Sequence, residues 1–307
     1  MIGRISSRTT AMNSLANLQA GQQRSDRLQQ QLSSGKAYTK LSDDPVAAND
    51  ALRFRSEISV NEQYGRNISD AQRWVATQES AMDAATGYLQ EARTALVQAG
   101  STGTLDPQGR RAIAEQLRRL RDDLITTANT PHEGRPVFAG TADVAAAVST
   151  TAAADGSYAL LGNGSAVNRR VASGQDVQVN ATAVQVFGGP TALDPAAKTV
   201  FQQLDELATA VQDGNTAAIS EGLSTIDAAR DRLLSARSVV AARTVQLDAL
   251  EQSTGARGDA LEASLSEVEG VDIAKAMIEF RLQDTAYQAA LASTAKVIQP
   301  TLLDFLR

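Results

Sequence analysis

The stretch IAKAMIEFRLQDTAYQAALASTAKVI, residues 273–298, sets the fold class. Ile273, Phe280, Tyr287, Thr294 and, further on, Thr301 recur at every seventh position, and Met277, Asp284, Leu291, Ile298 and Phe305 fall between them. That alternating spacing is the seam of a coiled coil, with Lys, Glu, Arg, Gln, Ala and Ser filling most of the remaining faces. Pro300 interrupts the helix near its end. At the other end of the chain Ala11, Ser14, Leu18, Gly21, Ser25, Leu28 and Leu32 repeat the pattern more weakly, because glycine and serine bury little. Stripes this narrow do not stabilise an isolated helix in water. A buried Leu or Ile contributes about 1.5–3 kcal/mol, whereas ordering each backbone residue costs about 1–2 kcal/mol. A lone terminal hairpin therefore barely breaks even. The ends either form an ordinary helical hairpin or are assembly elements that gain order from neighbours. The expected interface residues are Leu18, Leu28, Leu32, Ile273, Met277, Phe280, Tyr287, Leu291, Ile298 and Phe305.

Inward from the ends, Ile68, Ala71, Val75, Gln78, Met82, Ala85, Leu89, Ala92, Leu96 and Ala99 form a long ladder. Ile219, Leu223, Ile226, Arg230, Leu233, Arg237, Val240, Thr244 and Leu247 form another, carried on by Leu261, Leu265 and Val268. A helix of about fifty residues spans about 75 Å, and Gly255 and Gly258 are where the second is expected to loosen or break. A shorter helix carries Ile113, Leu117, Leu120 and Leu124. Asp44-Pro45, Asp106-Pro107 and Asp194-Pro195 each set an acidic cap before a proline suited to the first helical turn, so they predict three helix starts.

From 134 to 193 the ladders stop and glycine becomes frequent. Arg135–Ala139, Ser157–Leu161, Arg169–Ala172 and Asp176–Phe187 predict short strands, and Gly162-Asn163-Gly164 a turn. The expected fold is mainly α: a long antiparallel coiled-coil helical rod formed by the N- and C-terminal regions, with a small inserted β domain on its side. Residues 1–43 and 271–307 would form the terminal assembly domain, 44–133 and 194–270 the helical rod, and 134–193 the β-rich outer insert.

Composition removes most chemistry. With 29 Lys+Arg against 35 Asp+Glu the net charge is −6, which gives no basic face for nucleic acid. The absence of cysteine excludes disulfides, zinc–thiolate sites, iron–sulfur clusters and thiol nucleophiles. The single histidine, His132, argues against multi-histidine metal sites and histidine relays. No apolar run is long enough to span a membrane. Asn13, Ser14, Asn17 and Gln19 break up any signal-peptide core. Phosphate-loop and dinucleotide glycine patterns fail at Gln30 and Val167. Sequons at Asn67, Asn163 and Asn180 lack a secretory signal to support them. His132 reads as a solvated loop residue, Trp74 as packing against an adjacent helix, and Asp43 and Asp44 as cap residues without an acid–base partner. No catalytic residue, metal or cofactor is expected.

One resemblance adds to this reading. Leu32-Ser33-Ser34-Gly35-Lys36, followed by Leu41-Ser42-Asp43-Asp44-Pro45-Val46-Ala47-Ala48, resembles the N-terminal signature of the flagellin superfamily. Proline after the paired aspartates is similar to the branch that joins the flagellar hook to the filament. Gly134-Arg135-Pro136-Val137-Phe138-Ala139-Gly140-Thr141 is similar to the segment that enters that branch's variable β domain, with Pro136 where an aromatic residue is common. The helix from Asp272 is the third match. The ending Gln299–Arg307 is similar to a flagellin tail, so a filament subunit is the alternative. The resemblance implies a structural adaptor and not an enzyme. It implies export in unfolded form through the flagellar type III apparatus without a cleaved signal, and an extracellular place in the flagellum. It implies terminal helices that order on assembly around a central channel, and an export chaperone that holds the C-terminal helix. The implied partners are hook-associated protein 1, flagellin and a ring of about eleven copies of itself. Ser42, Asp43, Asp44 and Pro45 are the family-motif positions.

Overall fold

The computed structural model describes residues 2–40, 42–101 and 106–298. Among them lie seven helices: α1 (Ile2–Ser34), α2 (Pro45–Ser101), α3 (Pro107–Ala128), α4 (Ala183–Phe187), α5 (Val200–Asp213), α6 (Thr216–Glu269) and α7 (Ile273–Ile298). Two small antiparallel hairpins join β1 (Pro131–His132) to β2 (Arg135–Pro136) and β3 (Asn168–Ala172) to β4 (Gln175–Gln178). The chain divides into two compact units, Met1–Val60 with Arg257–Arg307, and Asn61–Ala256. These divisions fall within α2 and α6. In particular, α6 runs unbroken through Gly255 and Gly258; the intrahelical hydrogen bonds outlast the local propensity penalty, which is about 1 kcal/mol per glycine.

In the larger unit every residue of the α2 ladder from Ile68 to Ala99 is buried. Facing ladders supply Ile219, Ile226, Leu233, Val240 and Leu247 from α6 and Ile113, Leu117, Leu120 and Leu124 from α3. Alternation of alanine with leucine or isoleucine along α2 lets neighbouring helices approach closely. Helix α5, which carries no ladder long enough to stand out, packs against α3 with Phe201, Leu204, Ala208 and Val211 buried. Thr199 caps its start and Gly214, at φ 75°, supplies the left-handed residue that ends it.

Two of the three Asp-Pro starts are as predicted. Asp44 accepts from the amides of Val46 and Ala47 at 3.1 and 3.0 Å, and Asp106 from Gly109 at 2.8 Å. Asp194 instead accepts from Ala196 in a turn, and the helix waits for Thr199.

The insert holds less strand than its composition predicts. Residues Asp176–Phe187 are strand only to Gln178; Thr182 and Gln185 then form a reciprocal capping box that starts α4. Ser157–Leu161 contributes one isolated bridge, Leu160 to Val148. The Glu133-Gly134 turn has φ of 50° and 82°, the paired positive values of a tight hairpin. The insert is also not a satellite on the side of the rod. Phe138 meets Phe187 edge to face at 5.3 Å, Phe187 lies 5.2 Å from Phe201 of α5, and Tyr158 lies 6.2 Å from Phe201. A chain with few aromatic residues has gathered four of them here. Buried Gln78 of α2 donates to the carbonyls of Val137 (2.6 Å) and Ala181 (2.9 Å) and accepts from the Ala181 amide.

Candidate assembly interface

The terminal helices pair within the smaller unit. From α1, Ser14, Leu18, Ser25, Leu28 and Leu32 are half-buried and Gly21 is buried. Gly21 marks the close approach: its carbonyl accepts from the Gln283 amide at 3.2 Å, and a β-carbon there would stand 3.4 Å from Tyr287. The inward row of α7 is Ala276, Phe280, Gln283, Tyr287 and Thr294. Phe280 and Tyr287 therefore lie where the heptad places them. Ile273, Met277 and Leu291 do not: they are 57%, 47% and 44% exposed, alongside Ile278 and Leu282. These three therefore lie on the outward side of α7 in the single chain. The row of Met277 and Leu291 also carries Asp284, whose carboxylate would lose its hydration in the seam. Turning α7 by one residue sets Ala276 and Gln283 inward and leaves Asp284 exposed. The side chain of Ile298 and all of Phe305 lie outside the described residues.

This surface combines an incomplete internal seam with an outward apolar row. Met12 and Leu15 of α1 are also more than half exposed. Sequence reasoning missed the Ala276–Gln283 row because alanine and glutamine carry no hydrophobic signal. Gly21, a seam position of α1 with no side chain, was the cue that could have found the close approach of Gln283 and Tyr287.

Next to the seam, the α1–α2 connection is tied to the α6–α7 connection. The Ala37 amide donates to the Glu269 carbonyl at 2.8 Å and the Val271 amide to the Gly35 carbonyl at 3.0 Å, so Lys36 pairs with Gly270 as an antiparallel bridge. Glu269, only 8% exposed, is held by Lys36 at 3.0 Å and Arg55 at 2.5 Å. Burial, and then the nearby Glu269 charge, push the Tyr38 phenol above its ordinary pKa. The Ser42–Pro45 motif finishes this connection. Asp43 accepts from the Lys40 amide at 3.1 Å and closes the loop, Asp44 caps α2, Pro45 opens it, and Ser42 is exposed. Paired aspartates are thus used for backbone geometry.

His132 is not a solvated loop residue. It is half-buried at the end of β1, edge to face with Trp74 at 5.4 Å, with Nδ1 3.1 Å from the Thr77 hydroxyl. Trp74 accordingly packs against the hairpin and lies under the Arg169 guanidinium at 5.8 Å, where an adjacent helix was expected. Asp70, His132 and Glu133 bring potential ligand atoms within 4.8 Å of one another. Asp70 is already neutralised by Arg169 at 2.7 Å and Arg73 at 3.4 Å, which opposes the approach of a cation. No helix among the described residues is long and apolar enough to cross a membrane.

Residues 5–143 match the bacterial flagellin N-terminal helical region, and residues 223–306 match the bacterial flagellin C-terminal helical region. The chain belongs to the flagellin family. This flagellin-family chain is 27% identical over 282 residues to flagellar hook-associated protein 3 of Salmonella typhimurium, covering 86% of this chain and 87% of that one. It is also 27% identical over 301 residues to the flagellin of Bacillus subtilis, covering 96% of each. Among solved structures, a flagellar hook-associated protein from Vibrio parahaemolyticus superposes with a TM-score of 0.66 at 24% identity, over 74% of this chain and all of that one. Hook-associated protein-3 of Legionella pneumophila gives 0.62 at 17% identity, over 70% and 98%. The fold shared with these flagellar proteins is the mainly helical one expected above, carried by the family's two helical terminal regions.

Proposed function

We propose that this chain is a structural subunit of the flagellar hook–filament junction, without catalytic function, that joins hook-associated protein 1 to flagellin as a ring of about eleven copies. It travels unfolded through the flagellar type III apparatus, escorted by an export chaperone on its C-terminal segment, and works outside the cell. The observation that carries this reading is the paired terminal surface: an internal seam of half-buried residues beside exposed Ile273, Met277 and Leu291. Such a surface gains most of its burial from neighbours, and a chain that orders only on arrival suits a narrow export path. Deleting the gene tests the role. Cells are expected to keep hooks and release flagellin as monomer; normal filaments on the deletion strain would overturn the junction.

The filament-subunit reading is favoured by the near full-length match to Bacillus subtilis flagellin. Filament fragments as seeds discriminate the two. A junction subunit adds only a short cap, whereas a filament subunit grows long homopolymers.

A further inference from the structure

The chain holds four methionines and no cysteine, so methionine thioethers are its only sulfur. Among the described residues they fall into two classes. Met82 of α2 is fully buried, a member of the ladder at the core of the larger unit. Met12 of α1 and Met277 of α7 belong to the smaller unit and are 59% and 47% exposed. Met277 shares the outward side of α7 with Ile273 and Leu291.

A thioether is apolar and polarizable, so one side chain can serve a contact and still react. The co-reactant is hydrogen peroxide. The sulfur lone pair attacks one peroxide oxygen, and an S–O bond forms as the O–O bond breaks. Sulfur loses two electrons and the peroxide gains them. The departing hydroxide takes the proton from the transferred oxygen and leaves as water, with the sulfoxide as product. The oxidant must reach sulfur, and burial of Met82 denies it access. At Met277 the product replaces an apolar group by a strong acceptor that has to be dehydrated on contact. Neither Ile273 nor Leu291 offers that acceptor a side-chain donor.

We propose that Met12 and Met277 are sites of peroxide modification, and that the sulfoxide at Met277 withholds the chain from assembly. The assembly half rests on the outward α7 row being a subunit contact; the pattern of modification does not. A neighbouring subunit on that row closes the site, so the free chain is sensitive and the assembled chain protected. The change is reversible, because methionine sulfoxide reductases restore the thioether.

The test treats the purified full chain and isolated flagella with hydrogen peroxide and follows each methionine by peptide mass spectrometry. In the free chain Met12 and Met277 are expected to oxidise at least about tenfold faster than Met82, and in flagella Met277 should slow by about tenfold. Untreated and oxidised chains are then added to hooks from the deletion strain, and bound protein is measured by immunoblotting. Binding should fall about tenfold on oxidation and recover after reductase treatment. It should survive peroxide in M277L, a volume-conserving change. Oxidation of Met277 no faster than that of Met82 would overturn the proposal. So would full binding of the oxidised chain, or M277L losing as much to peroxide as the wild type. L291D without peroxide separates the two readings. If it binds hooks poorly while the oxidised chain binds normally, the row is a contact and the sulfoxide proposal alone fails. If it binds as wild type does, the contact fails and takes the assembly half of the proposal with it.

Discussion

Gln78 is the polar member of the otherwise apolar α2 ladder, and it is fully buried. Its amide satisfies three backbone groups of the insert, so removing it leaves those groups dry and unpaired. Gln78→Leu is expected to lower stability by about 3 kcal/mol, read from the urea midpoint. Sequence periodicity placed Gln78 on the inward face but could not say what it bonds. Its partners lie far along the chain, in a segment without helical period. Acid sensitivity should trace in part to Asp227, whose carboxyl is held below its ordinary pKa by a hydrogen bond from Arg93. A depressed folded pKa adds stability that is fully present above the unfolded value, about 3.9, and is lost as pH falls through the lower folded value. Asp227→Asn should remove that part of the pH dependence, so its stability deficit against wild type is larger at pH 7 than at pH 3.

At the scale of elements, the terminal pair separates two kinds of residue that a heptad count treats alike. Gly21 holds α1 close to α7, and a larger side chain must push Tyr287 and Gln283 aside. Gly21→Val is expected to cost about 1–3 kcal/mol and to speed limited proteolysis of both ends. Leu291→Asp acts differently, because Leu291 faces outward. The variant should keep the helicity of the free chain, while its incorporation into flagella falls about tenfold, measured by immunoblotting of sheared filaments. Undiminished incorporation would argue against this row as a subunit contact. The helices themselves were legible because their ladders persist over many turns. The rotation of α7 was not, since heptad and true helical period differ by only a few degrees per residue and one buried carboxylate tips the choice. The Asp194-Pro195 start failed for a related reason: capping chemistry serves a turn as readily as a helix.

For the whole molecule, the insert matters more than its texture suggests. The sequence pattern alone reads 134–193 as a β-rich outer insert on the side of the rod. The structure builds Phe187, Val177 and Val179 of that segment into the core of the larger unit. Removing residues 140–190 exposes Phe138 and Phe201 and is expected to abolish the cooperative unfolding transition of that unit, followed by calorimetry. The overall helical class followed from composition and period, whereas the aromatic cluster that binds insert to helices depends on contacts between distant residues that no local pattern reports.

The bridge between Lys36 and Gly270 has a topological consequence. Its two backbone hydrogen bonds close a loop in the covalent chain that runs from Ala37 to Glu269 and join the exit of the first helix to the entry of the last. A single protease cut in that loop leaves the two terminal helices joined only through this bridge and their own seam.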